Sequence, residues 1–354
     1  MPYNFKYIPV FRSRQQELLI LSGFDFQDRM YPLVEVIKAK DRTNNVRTPA
    51  DIWRGYISDA HAERVLVDLP VYLRDSSAMT DEVLAFNRTT LSNIEQRIAF
   101  FQTLAPLGAK VIPVLSSLLL KTGEAGTLTQ QVTALRAHFP QVAIRTFTAT
   151  LDIDFDEISA LLTNEDILIY DLDTAQPLNP LVKLQQRRIA TLAAPYKVAV
   201  RSAINTEIQN IKLDHGGVVA DADNSLLELF APVLHMNAFG DYAGIKKDEL
   251  NSGGTISPGF IFYDPIDNLY YGYKGEVKEL SEFETTIVPA VLNSGVVQQL
   301  RDQYPEYLNG NPGYQQLLAI ADGATGKSQA KFKRIAMEHY LHCIRIKIQA
   351  GQLG

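Results

Sequence analysis

The chain of 354 residues is short of cysteine: Cys343 stands alone, so no intramolecular disulfide can staple the fold. It lacks a charged-then-apolar leader at Met1-Pro2-Tyr3-Asn4, which argues against secretion. No apolar run approaches the roughly 20 residues that span a bilayer. Positive charge is not in excess either. With 34 Lys and Arg against 40 Asp and Glu, the formal net charge is -6, and direct nucleic-acid binding is disfavoured. These absences predict a cytoplasmic protein without a membrane segment. Trp53 is the one tryptophan, and packing is its ordinary use.

Apolar residues make up 46% of the chain, enough for one large core rather than several small domains. They fall into short continuous runs, each ending on a charged or hydroxyl side chain: Tyr7 to Phe11 then Arg12, Tyr31 to Val34 then Glu35, Val65 to Val67 then Asp68, and Val111 to Leu115 then Ser116. Further along come Val142 to Ile144 then Arg145, Ile167 to Tyr170 then Asp171, Val198 to Val200 then Arg201, and a weaker eighth at Phe239-Gly240-Asp241-Tyr242. Strands buried on both faces read this way, and their alternation with helical patterns predicts a (β/α)8 TIM-like barrel over residues 1–253. In that fold the site lies at the C-terminal strand ends.

Helices are predicted between the runs. The segment from Thr89 to Leu107 repeats Leu91, Ile94, Ile98, Phe101 and Leu104 at helical spacing, with Thr90 as N-cap and Gly108 as stop. Thr127 to Phe139, Leu181 to Leu192 and Leu226 to Leu234 are similar, and Gln185-Gln186-Arg187-Arg188 reads as a solvated face. After Gly253-Gly254 the pattern changes. Phe260, Phe262, Tyr271 and Tyr273 flank a turn at Pro265 to Asn268 and predict a β-hairpin. Helices follow over 287–304, 315–321 and 330–346, so residues 254–354 form a C-terminal hairpin and helical extension packed on the barrel.

The strand-end set is Arg12, Glu35, Asp68, Arg145, Asp171, Asp173, Arg201 and Asp241, with Tyr242 beside it. Three readings stay open. The charges form a structural ion-pair network, because buried charge demands pairing. Or arginines bind an anionic ligand, with carboxylates holding a hard cation. Or a carboxylate pair supplies the acid and base of a hydrolase acting on a phosphorylated or other anionic substrate. Asp171-Leu172-Asp173 is either two carboxylates on one strand face or a turn that begins at Asp173-Thr174. The residue types name neither a cofactor nor a metal.

Two other motifs look chemical and are not. Ala321 to Ser328 satisfies a relaxed phosphate-loop expression, yet a helical segment precedes it where a strand is required. His339 and His342 share a helix face three residues apart with no third imidazole nearby, so they read as packed residues.

Four short motifs together resemble the beta protein family of phages and bacteria: Tyr7-Ile8-Pro9 with Glu17, Pro32-Leu33-Val34-Glu35, Gly240-Asp241-Tyr242-Ala243-Gly244, and Glu338-His339-Tyr340. The chain departs from that outline at Arg12-Ser13-Arg14, where relatives carry a lysine before the glutamate. The resemblance implies no established reaction. It implies a component of a phage-bacterium conflict system, binding or sensing a ligand or partner at the barrel mouth, with a nuclease-like protein as partner.

Overall fold

The computed structural model describes residues 3–353 apart from 43, 193–195, 248–249 and 251–256, so the junction at Gly253-Gly254 lies outside the described residues. Eight parallel strands close into a barrel: β1 (Tyr7–Arg12), β2 (Leu33–Glu35), β3 (Val65–Asp68), β4 (Val111–Leu115), β5 (Ala143–Phe147), β6 (Ile167–Asp171), β7 (Tyr196–Val200) and, after the short β8 (Gly217–Val218), β9 (Ala238–Asp241). Closure is made by β1 against β9, with Ile8 opposite Gly240. The predicted (β/α)8 barrel is therefore present, together with its helical extension.

Side-chain alternation divides each strand between two cores. Ile8, Val10, Leu33, Leu66, Val114, Ile169 and Val200 pack together inside the barrel. Tyr7, Phe11, Val34, Val67, Ile144, Leu168 and Phe239 face outward into the helical layer. The N-terminal end of the barrel is plugged by rings: Phe5 stacks on Tyr31 at 4.4 Å and meets Tyr196 at 4.7 Å. The opposite end is left for the charged residues.

The surrounding helices are α1 (Gln15–Gly23), α2 (Pro49–Asp59), α3 (Asp81–Thr89), α4 (Ile94–Leu104), α5 (Leu128–Arg136), α6 (Leu151–Leu161), α7 (Pro180–Thr191) and α8 (Leu226–Leu229). The extension adds a hairpin of β10 (Gly259–Asp264) and β11 (Leu269–Lys274), then α9 (Val288–Leu292), α10 (Gly295–Gln303), α11 (Pro312–Ala321) and α12 (Gln329–Gln349). In the hairpin Phe260 pairs with Tyr273 and Phe262 with Tyr271, as the period-two aromatics predict. Those rings face inward instead of forming an exposed patch: Phe260, Phe262 and Tyr273 are buried. β8 joins them as a third strand.

Several predicted helices differ. The helix predicted over 89–107 starts five residues late, at Ile94, because Asn93 rather than Thr90 caps it by accepting the Gln96 N–H at 3.0 Å, while Thr90 closes the preceding α3 with its own N–H on the Phe86 carbonyl. The helix predicted over 226–234 is one turn. The stretch 287–304 breaks where Ser294 caps α10. On α7 the expected solvated face is half wrong: Gln185 and Gln186 are buried, since the Gln185 amide accepts from Tyr170 Oη at 2.6 Å and donates to the Thr148 carbonyl at 2.9 Å. A polar side chain with every group bonded can occupy a core position.

Candidate functional site

Arg145 stands at the centre of the barrel mouth. β5 runs two residues beyond it to Phe147, so it lies deeper than the strand end at which the sequence places it. Its guanidinium donates to Glu35 Oε1 at 2.8 Å, Asp68 Oδ2 at 2.5 Å and Asp171 Oδ2 at 2.5 Å, and approaches Tyr242 Oη at 3.4 Å. The Tyr72 and Phe147 rings cover it, with centroids 5.5 and 5.4 Å from the guanidinium carbon. Five donors in a planar fork meet three carboxylates from three strands, a geometry that a lysine cannot supply.

A second layer lies above. Arg12 Nε reaches Glu35 Oε2 at 3.3 Å, and Arg12 Nη2 donates to Tyr72 Oη at 3.3 Å. Tyr72 Oη donates to Glu35 at 2.5 Å and meets Tyr242 Oη at 3.2 Å. The Lys247 ammonium sits 3.6 Å from the Tyr72 ring centroid and bonds Asp173 at 2.9 Å. Tyr72 and Lys247 carry no signal in the sequence, because both come from loops after strands, where spacing says nothing about direction.

Strand alternation decides which strand-end residues meet. Arg12, Glu35, Asp68, Arg145 and Asp171 follow the inward register of Val10, Leu33, Leu66, Ala143 and Ile169, and Tyr242 also points in. Arg201 and Asp241 fall one position off that register and lie on the outer face. Arg201 donates to the carbonyls of Ala175 at 3.0 Å and Asp223 at 2.5 Å, and pairs with the Asp223 carboxylate at 3.0 Å. Asp241 accepts from Tyr7 Oη at 2.5 Å and from Tyr340 Oη of α12. Asp173 is not a second strand carboxylate. It has a positive φ of 53°, and its N–H donates to Asp171 Oδ1 at 2.7 Å, which makes a turn.

Burial pushes Asp68 and Asp241 up to about 6; Arg145 opposes this for Asp68, and the Tyr340 and Tyr7 hydroxyls oppose it for Asp241. For Glu35 burial is outweighed by Arg145, Arg12 and Lys247, which hold it down at about 2. The signs are opposite. Two carboxyls that bind protons more tightly when folded lose stability as pH rises through about 4 to 6, whereas Glu35 loses it as pH falls from about 4.5 to 2. The urea midpoint is expected to peak near pH 4 to 5 and to decline toward pH 7. Asp241→Asn should remove one carboxyl's share, at most about 3 kcal/mol for a two-unit shift. A midpoint that climbs steadily from pH 4 to 7 would contradict this assignment.

Among the described residues no cluster of three His, Cys, Asp or Glu side chains could hold a metal. His339 Nε2 donates to the Tyr263 carbonyl at 2.9 Å and Nδ1 accepts from Asn311 at 2.8 Å, so both ring nitrogens are used. Burial lowers its pKa to about 4 and keeps it neutral. The loop from Ala321 to Ser328 lies between α11 and α12, and Lys327 faces Glu284 at 3.7 Å. Lys327→Ala is therefore expected to leave any nucleotide binding unchanged in calorimetry.

The family model for Beta protein matches residues 7–345. The chain belongs to the Beta protein family. No curated protein matches it. In this Beta protein family member the short motifs meet in space at two places. Glu35 binds Arg145 and Arg12 at the mouth, and the Arg12 N–H is held by Glu17. On the other side of the sheet, Tyr7 and Tyr340 clasp Asp241. Gly240 and Gly244 serve the clasp: a Cβ on Gly240 would lie 2.7 Å from the Ile8 carbonyl, and one on Gly244 would lie 2.6 Å from Tyr340 Cβ. Among the described residues no helix is long and apolar enough to cross a membrane.

Proposed function

We propose that this Beta protein family member is a cytoplasmic ligand-binding component of a phage-bacterium conflict system, with a nuclease-like protein as partner, and that its ligand is an anion held by Arg12 and Lys247. One observation carries the ligand chemistry. Arg12 Nη1 is buried with no partner among the described residues, and the same guanidinium lines, with Lys247, a mouth cleft of about 520 Å³. A buried donor without a partner is destabilising, and an anion relieves it. Thr174, Asn205 and Thr206 add polar groups to the cleft and Leu73, Met79 and Leu250 add apolar ones; Arg74 adds a third cation, and the carboxylates of Asp75, Asp173 and Glu207 confine an anion to the Arg12 and Lys247 side. Arg145 and Arg201 are not part of this reading, because carboxylates and carbonyls already occupy their donors. The conflict setting and the partner rest on family membership alone.

The hydrolase reading has one supporting fact: Glu35 and Asp68 are adjacent carboxyls whose pKa values are driven apart, the usual mark of an acid and base pair. Neither lines the cleft, so substrate would not reach them. Binding is therefore preferred. Calorimetry with inorganic phosphate and with nucleoside mono- and triphosphates tests it. Lys247→Gln and Arg12→Gln are each expected to weaken binding by about 10- to 100-fold, the worth of one charge-assisted hydrogen bond. Wild-type protein that binds none of these anions, or variants that bind them equally well, would refute the proposal.

A further inference from the structure

Helix α7 buries Val182 and Ile189 against the barrel as expected, but it carries large apolar side chains on its outer face as well. It turns Gln185 and Gln186 into the core and leaves Leu181 and Leu184 outside, and with Leu178 and Ile153 these make four large apolar side chains between 47% and 62% exposed. Leu178 is in the turn that precedes α7, and Ile153 is on the neighbouring α6, since Asp152, next to Ile153, binds both Gln185 at 2.7 Å and Arg188 at 2.8 Å. Scattered exposed apolar residues need no explanation, but a group of them on adjacent helices marks an interaction surface.

Charge names the occupant. Every charged residue of α6 is acidic and every charged residue of α7 is basic. Asp156, Lys183 and Arg187 have no side-chain partner among the described residues, although the neighbouring Asp152 and Arg188 pair within the chain. Asp154 is buried on Ser117 and Glu157 is turned to Thr129, so the outward charges left to a partner are Asp156 on α6 and Lys183 with Arg187 on α7. Opposite signs beside exposed apolar side chains are self-complementary, because a two-fold rotation lays α6 of one copy over α7 of the other. From this we infer that the α6–α7 face is an isologous interface between two copies of the chain. A partner of single charge would meet repulsion from one of the two helices.

The test uses the full chain in sedimentation velocity over about 1 to 100 µM, a range that spans affinities of weak and moderate dimers. Wild type is expected to pass from monomer to dimer. Leu184→Glu should remain monomeric with an unchanged melting temperature, because that side chain is exposed in the monomer. Asp156→Lys and Arg187→Glu, each alone, should weaken dimerisation by at least about tenfold through like-charge contacts, and the double variant should recover it. A wild type that stays monomeric throughout overturns the inference and leaves the apolar face to a different protein. A dimer indifferent to Leu184→Glu, or a double variant as weak as the single ones, overturns it as well. None of these substitutions touches the mouth cleft, so anion binding is unaffected by the outcome.

Discussion

Arg145→Ala is expected to leave little folded protein, with a loss of about 3 to 5 kcal/mol, the range observed when one member of a buried ion pair is removed. That is a large share of the roughly 5 to 15 kcal/mol that holds a typical domain together. Glu35, Asp68 and Asp171 all lose a partner at once, at a place where the Tyr72 and Phe147 rings cover them. Arg145→Lys should recover only part of the loss, since an ammonium cannot reach three carboxylates in the same plane. Adding Asp68→Asn to Arg145→Ala should also recover part, by removing one uncompensated charge. Urea denaturation of the four proteins measures this directly. An Arg145→Ala midpoint equal to wild type would show that the mouth network carries no stability and that Arg145 is free for other work.

Gly244→Ala is expected to lose about 2 to 5 kcal/mol by adding two effects. The residue sits at φ 75°, where an L side chain is disfavoured by about 1 to 2 kcal/mol. The new methyl would also lie 2.6 Å from Tyr340 Cβ and Cγ, and overpacking of this kind costs about 1 to 3 kcal/mol. Tyr340 moves away or the loop shifts, and either breaks the hydrogen bond from Tyr340 to Asp241. Limited proteolysis separates this from general destabilisation: cleavage should appear first at the loop before α12. A variant with wild-type stability and an uncut α12 would show that the clasp is not under this constraint.

The barrel was legible because parallel strands buried on both faces leave continuous apolar runs, and the polar residue ending each run marks the mouth. Which of those residues meet was less so. Taking the last residue of every run ignores parity, and Arg201 and Asp241 fall on the outer face for that reason alone; counting in twos from Val200 and Gly240 would have placed them there. Asp171 and Asp173 satisfy the parity rule, yet the chain leaves the strand between them. Tyr72 and Lys247 could not have been found, since loops carry no periodicity. Gln185 was misplaced because its burial depends on Tyr170 and Thr148, residues on other elements that no local pattern names.

The Asp241 clasp also imposes a timetable. Asp241 is made 234 residues after Tyr7, and Tyr340 is made 99 residues after Asp241. At about 5 to 20 residues per second, β1 waits roughly ten to fifty seconds for the strand that closes the barrel on it, and the aspartate waits roughly five to twenty more for its second hydroxyl. During that interval the nascent sheet has open edges on both sides, the form of a folding chain most prone to wrong pairing. Completion comes late and in two steps, so the growing chain depends on whatever shields β1 on the ribosome.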